Sequence, residues 1–486
     1  MNVFDYLFEN WAGYNNDFVL GPGETISYSK LYNESIETAR GLFNQFGENN
    51  PIFLISENSV FFIKSYLAIL KSGNICIPVN PSLEKENLRK IVELAETKKA
   101  FISPRNLRKF EDFSFTILNG YLNGQATSDV SGFEDMDIAE FDENRTAEII
   151  FTSGSTGEQK GVMISHKNII ANTSSIIEYL KLSQNDIVQV VLPFHYCYGL
   201  SLLHTHLKVG GSVVLNNSFM FLGTIINDLK KYKCTGFAGV PSHFQILLRK
   251  SKDFKDTHFP HLKYVTQAGG KLHTSFIREF VSAFPDIDFY VMYGQTEATA
   301  RLSYLPPKDL KKKTGSIGKG IPGVELKVVD KKGKPVKAGE VGEIIAKGEN
   351  IMQGYFKDKK ATMEVLREGW LHTGDLASID DDGFIYIKSR EKEILKVRGI
   401  RISPKEIEEV IVGFPGVIDC TIHAISDDIT GEAIKAIVYV NDGDLGKLDK
   451  YKIQQFCAKH LSRHKIPKEI EFDTKLTFNT SGKRVK

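Results

Sequence analysis

Little in this sequence suggests a protein that crosses a membrane, leaves the cell or clings to nucleic acid. Cysteine is scarce: Cys76, Cys197, Cys234, Cys420 and Cys457 are the only five in 486 residues. Their number is odd, they are scattered, and no Cys-x-x-Cys pair occurs. That pattern excludes a disulfide framework and predicts reduced thiols in a cytoplasmic protein. Charge of one sign is lacking too. The 62 Lys and Arg against 60 Asp and Glu leave +2, which argues against a nucleic-acid or acidic partner engaging the whole surface. No run approaches the roughly 18 uncharged apolar residues of a spanning helix, and the most apolar stretch, residues 60–70, is broken by Lys64. Met1-Asn-Val-Phe-Asp has no basic region ahead of an apolar run, so it does not read as a secretory signal. His204 and His206 stand two apart, which puts them on different faces of a helix and predicts no metal site.

What is present is an ordinary globular composition, 42% apolar and 25% charged, spread over a length that calls for two or three domains. The first hundred residues alternate strand and helix patterns, as an α/β fold requires. Residues 26–31 lead into a helix, 52–56 and 75–79 are strands, and 61–72 and 83–97 are helices. Residues 105–145 are polar and less regular. Beyond Gly315 short strands and turns predict a small β-subdomain, and a further α+β segment follows, with strands at 421–425 and 433–440 and a helix over 451–460.

The organising stretch is 149–161, Ile-Ile-Phe-Thr-Ser-Gly-Ser-Thr-Gly-Glu-Gln-Lys-Gly. An apolar run leads into a loop of glycines and hydroxyls that ends on Lys160, and a helix over 168–181 capped by Ser165 is expected to follow. Gly154, Gly157 and Gly161 let backbone N–H groups approach a ligand; Thr152, Ser153, Ser155 and Thr156 add hydroxyls, and Lys160 a point charge. Phosphate is the natural target of such a loop. A Walker-type loop is excluded, because it would need glycine at Gln159 and a hydroxyl at Gly161.

The stretch resembles instead the Thr-Ser-Gly-Ser/Thr-Thr-Gly-x-Pro-Lys-Gly loop of the adenylate-forming superfamily, which contains acyl-CoA synthetases, peptide-synthetase adenylation domains and firefly luciferase. Gln159 stands where proline is usual. Three more signatures follow in the family order. Tyr293-Gly294-Gln295-Thr296-Glu297 resembles the second nucleotide motif: Glu297, with Thr152, is expected to take Mg²⁺, Thr296 to hold the α-phosphate, and Tyr293 to stack on adenine. Trp370-Leu-His-Thr-Gly-Asp375 places a carboxylate, expected at a strand end, for both ribose hydroxyls. Ser389-Arg390-Glu-Lys392 gives Arg390 a ribose–phosphate contact and makes Lys392 the hinge between a large domain, 1–391, and a small lid domain, 392–486.

Other segments are similar to the rest of the family's site. Leu192-Pro-Phe-His195-Tyr196-Cys-Tyr198-Gly199 resembles the acyl pocket of fatty and aryl acid ligases, completed by Val240, and Gly269-Gly270 resembles the adenine cover. His195 stands near where amino-acid-activating relatives carry an aspartate, so an uncharged or anionic acid is expected. His243 reads as a structural helix-start residue. Lys396 and Gly399 are the resemblance's thiol-step loop, and Ser403-Pro-Lys-Glu406 reads as a capping box. Ser481-Gly-Lys483 resembles the loop that delivers the adenylation lysine. From residue 447 to the end there are 11 basic and 4 acidic residues, a face that could meet an acyl carrier protein or CoA. The resemblance implies an ATP- and Mg²⁺-dependent acid–thiol ligase, with CoA as the favoured thiol. A carrier-protein ligase and a non-catalytic acyl- or nucleotide-binding regulator are the alternatives. Intact Lys160, Glu297, Asp375 and Lys483 argue against the regulator.

Overall fold

The computed structural model describes residues 1–123, 141–153, 159–219, 221–251, 253–390, 395–397, 400–427 and 431–476. Two large sheets form its body. In the nine-stranded sheet, Ile187–Val190, Gly236–Gly239, Tyr264–Gln267 and Asp288–Tyr293 are parallel neighbours, with antiparallel strands at the edges. The seven-stranded sheet is parallel through Pro51–Ile55, Ile75–Val79 and Lys99–Ile102. The near-continuous apolar character of these strands is what burial on both faces demands. Val60–Lys71 and Cys197–Val209 are helices apolar on nearly every side, and both lie in one core with residues of both sheets. Ser59 starts the first, its side chain accepting from the Phe62 N–H.

Most expected elements are present. The helix following the glycine-rich segment is His166–Leu180, and Ser165 caps it in a reciprocal box with Asn168. The helix expected from 83 is Lys85–Ala95, without a side-chain cap. The five-stranded antiparallel sheet around Val341–Gly348 and Trp370–Ile379 is the expected β-subdomain. Beyond it, Asp419–Asp427 and Gly431–Tyr439 form an antiparallel hairpin joined by the parallel strand Glu469–Asp473, with helices Pro404–Val412 and Lys450–His460. Lys271 Nζ pairs with Glu409 Oε2 at 2.6 Å, tying this segment to the body.

Three expectations need correction. A strand, Gln159–Ser165, comes between the glycine-rich loop and the helix, and it pairs antiparallel with Thr146–Ser153. The strands on either side of the loop therefore pair with each other, and no helix follows the loop directly. Asp375 sits inside a ten-residue strand, opposite Arg390, not at its end. The Ser403 capping box does not form: Ser403 Oγ donates to the Lys388 carbonyl at 2.8 Å, and Glu406 pairs with Lys465. The expected hinge, Lys392, lies outside the described residues.

The two core helices are also joined to the seven-stranded sheet through polar groups. The Tyr66 hydroxyl donates to Glu148 Oε2 at 2.9 Å and lies 2.8 Å from His204 Nε2. A hydroxyl has one proton, so donation to Glu148 obliges Nε2–H of His204 to donate to Tyr66. Burial pushes Glu148 from 4.5 up to about 7. It pushes His204, like His166 and His243, from 6.5 down to about 3, and His206 to about 4. His204 and His206 thus stand in the core as neutral imidazoles.

The sign of the pH dependence follows. Five neutral imidazoles, these four and His195, regain protons only on unfolding, so stability falls as pH drops below 6.5. Glu148, raised in the folded state, opposes this between pH 4.5 and 7. Five groups outweigh one. The urea midpoint is expected to fall from pH 7 to pH 5, by a free-energy slope of about 1 kcal/mol per pH unit or more. A midpoint that rises on acidification would contradict the neutral-imidazole core.

Candidate active site

The site gathers where the parallel strands end, the position at which open α/β sheets bind ligands. Ile187–Val190 runs out into the segment carrying His195 and Tyr196; Gly236–Gly239 ends at Val240; Tyr264–Gln267 ends at Gly269 and Gly270; Asp288–Tyr293 ends on Gly294. Four segments read as parts of one site are thereby brought to one edge of one sheet.

Asp375 is the best-anchored group there. It is 3% exposed. Its Oδ2 accepts from the Tyr293 hydroxyl at 2.8 Å and its Oδ1 from Arg390 Nε at 3.1 Å. Burial holds the Tyr293 phenol well above its ordinary pKa, with the Asp375 charge adding to the shift, so Tyr293 remains a donor. Gly294 has to be glycine, since a Cβ there would meet the Ala300 carbonyl oxygen at 2.0 Å. Thr296 turns its hydroxyl to the Cys197 thiol at 3.5 Å.

Glu297 lies on a single 3₁₀ turn, Thr296–Ala298. Its Oε1 accepts from the Tyr355 hydroxyl at 2.9 Å, and the Lys160 ammonium sits over the Tyr355 ring, 4.9 Å from its centre. Tyr355 reaches this place because Gly354–Tyr355 adds as a short antiparallel strand to the edge of Gln159–Ser165. Nothing in the local sequence marks it, because its place depends on that non-local pairing. Thr152 lies across from Lys160, its Oγ1 3.5 Å from the Lys160 carbonyl.

Of the acyl-pocket group, Val240 is fully buried, and Tyr198 is fixed by its hydroxyl, 2.8 Å from Thr266 Oγ1. His195 is pushed by burial to about 4 and so carries no charge at neutral pH. Gly199 owes its identity to backbone contact: a Cβ would lie 2.1 Å from the Pro193 carbonyl oxygen. Val240 and His243 begin the helix Pro241–Lys250, the Val240 N–H donating to His243 Nδ1, so His243 is structural as expected. Gly154, Ser155, Thr156, Gly157, Lys392, Gly399 and Lys483 lie outside the described residues, as do the side chains of Ser153 and Lys396.

Among the described residues no cluster of three or more His, Cys, Asp or Glu could hold a metal. A cation held by one carboxylate and substrate phosphates needs no such cluster, and Mg²⁺ is bound in that way. Glu297 fits it.

Comparison with known proteins agrees with this arrangement. The AMP-binding enzyme family model matches residues 7–356, and that of the AMP-binding enzyme C-terminal domain matches 406–483. The chain is 28% identical over 481 residues to 4-coumarate–CoA ligase-like 9 of Arabidopsis thaliana, covering 95% of this chain and 84% of that one. It is 31% identical over 340 residues to a feruloyl-CoA synthase of Amycolatopsis, covering 70% and 68%. The ATP-bound crystal structure of MatB from Rhodopseudomonas palustris superposes with a TM-score of 0.87 at 25% identity, over 100% of this chain and 97% of that one. An adenylate-forming architecture is the class that fold and site define. The chain belongs to the AMP-binding enzyme family, as an AMP-forming acid–CoA ligase.

Replacing Tyr293 by phenylalanine leaves Asp375 buried with one donor fewer. A hydrogen bond to a charged group contributes about 1.5–3 kcal/mol, and Tyr293→Phe is expected to lose that much in urea denaturation with an unchanged slope. A loss under about 0.5 kcal/mol would show that the pair contributes little to stability.

Proposed function

We propose that this ligase activates an uncharged or anionic carboxylic acid, not an α-amino acid, and passes it to the thiol of CoA by moving its small domain between the two steps. In the first step the acid's carboxylate attacks the α-phosphate of ATP, pyrophosphate leaves and an acyl-adenylate remains. In the second a thiol attacks the acyl carbon and AMP leaves.

The roles divide by position. Asp375 takes the ribose hydroxyls, Arg390 bridges ribose and phosphate, Tyr293 lines the adenine, and Gly269 and Gly270 cover it. The loop carrying Thr152, Ser153, Gly154, Ser155, Thr156, Gly157 and Lys160 cradles the phosphates, and Thr296 holds the α-phosphate. Glu297 and Thr152 would hold Mg²⁺, which when bound neutralises charge gathering on the leaving pyrophosphate. The acid lies against His195, Tyr196, Tyr198, Gly199 and Val240. Lys483 delivers positive charge to the α-phosphate in the first step, the loop with Lys396 and Gly399 shapes the second, and the chain turns at Lys392.

The observation that carries this reading is the meeting of Glu297 and Lys160 at Tyr355. A carboxylate suited to a hard cation and an ammonium suited to phosphate, brought from separate sheets to one side chain, are what a polyphosphate with its cation requires. Neutral His195 supports the choice of acid: it offers no carboxylate to an ammonium group.

Acid-dependent pyrophosphate exchange across a panel is the direct test. Fatty, aryl or other anionic acids should support exchange and free α-amino acids should not; highest exchange with an α-amino acid would overturn the substrate reading.

The two steps should also separate by mutation. Lys483→Ala is expected to lower exchange by about 10²–10³-fold, as for loss of one preorganised charge donor, yet still convert supplied acyl-adenylate and CoA into thioester. Lys392→Pro should spare exchange and slow thioester formation. Equal damage to both half-reactions in folded Lys483→Ala would refute domain alternation.

A further inference from the structure

Arg301 is a buried charged side chain that none of the roles above employs. It follows Glu297 by four residues, at the end of the loop that returns into the strand Ser303–Leu305. It is 2% exposed. Its Nε–H is fully buried without a hydrogen-bond partner, and no Asp or Glu among the described residues lies within ion-pairing distance of its guanidinium. The guanidinium carbon stands 4.5 Å from the centre of the Tyr198 ring. On another side it meets the Tyr179 hydroxyl. Its charge is also felt by Tyr196.

A purely structural role does not account for it. Asn172 and Asn350 fix this turn by donating to the Arg301 carbonyl at 3.1 and 2.8 Å, so the backbone is held without the side chain. The Tyr198 face gives a cation–π contact but leaves the Nε–H unsatisfied. A buried guanidinium with no carboxylate and an orphaned donor is an unbalanced charge, and native proteins retain few of these without a use. Arginine's fork matches a carboxylate in shape and charge.

We infer that Arg301 is the specificity residue of the acyl site, receiving a second carboxylate carried by the acid, so that the substrate is a dicarboxylic acid activated at one end. The inference rests on the placement of the acid against Tyr196 and Tyr198 proposed above. An anionic tail balances the guanidinium and fills the vacant donor; an ammonium-bearing acid meets repulsion from it; a plain alkyl tail leaves the charge uncompensated. Sites built to bond a polar substrate group reject analogues that lack it far more strongly than apolar sites reject a missing methylene.

The test compares dicarboxylic acids, their half-amides and monocarboxylic acids of equal chain length in pyrophosphate exchange, with wild type, Arg301→Gln and Arg301→Lys. Wild type should prefer the diacid over the equal-length monoacid by about 10²-fold in kcat/KM, mostly through KM, with the half-amide between. Arg301→Gln should bring that ratio near one, and Arg301→Lys should restore part of it. The ratio is taken within one protein, so it does not depend on the fraction that folds. Calorimetric binding of the diacid to the enzyme with a non-hydrolysable ATP analogue should weaken in parallel. A wild-type ratio near one, or a ratio that Arg301→Gln leaves unchanged, would overturn the inference while the ligase reading stands. Absence of exchange with every acid in all three series would overturn both.

Discussion

One carboxylate, Asp375, joins three parts of this molecule. It stands on the β-subdomain, accepts from Tyr293 at the end of a strand in the nine-stranded sheet, and accepts from Arg390 where the chain leaves the subdomain. Thr373 Oγ1 braces its backbone from the same strand, accepting from the Asp375 N–H at 3.2 Å. A buried carboxylate is costly unless its oxygens are satisfied, and here each oxygen has a donor. The relative position of sheet and subdomain is therefore bound to the carboxylate proposed above to take the ribose hydroxyls.

The rest of the site is organised around that anchor by topology. Parallel strands send their carboxyl ends to one edge, so segments distant in sequence arrive together. Tyr355 performs the same service for the proposed phosphate site: its strand is added to the hairpin that carries Lys160, and its hydroxyl reaches Glu297 from the other sheet. Its phenol is pushed up by burial and by the Glu297 charge, which keeps it a donor. In the proposed reading, anchoring of the nucleoside and assembly of the phosphate site are thus separate tasks, performed by separate contacts. Arg301, with its orphaned donor beside Tyr198, belongs to neither and is the group inferred above to receive the acid's second carboxylate.

Much of this was legible in the sequence, and the exceptions have physical causes. Strands at 52–56 and 75–79 and the helix capped by Ser165 followed from local pattern and cap chemistry, which are short-range. The glycine-rich loop was recognisable, but not that a strand follows it: Val162-Met-Ile is too short a run to declare its partner, and its pairing is with the strand before the loop. Asp375 was expected at a strand end, yet Gly374 adopts positive φ at an irregularity in the pairing with Val341–Gly348 and the strand runs on to Ile379. Ser403 has the sequence of a capping residue, but its hydroxyl is taken by the Lys388 carbonyl. Tyr355 and Arg301 escaped notice for a single reason. Their importance lies in partners, or in the lack of them, that only the folded chain defines.

The central claim is that Asp375 holds the nucleoside. Calorimetric titration of ATP into wild type and Asp375→Asn tests it directly, because the amide keeps the size of the side chain and removes only charge and one acceptor. A protein that still melts cooperatively with an ATP Kd raised about 10-fold or more, the equivalent of about 1.4 kcal/mol, is the predicted result. An unchanged Kd in that folded variant would contradict it.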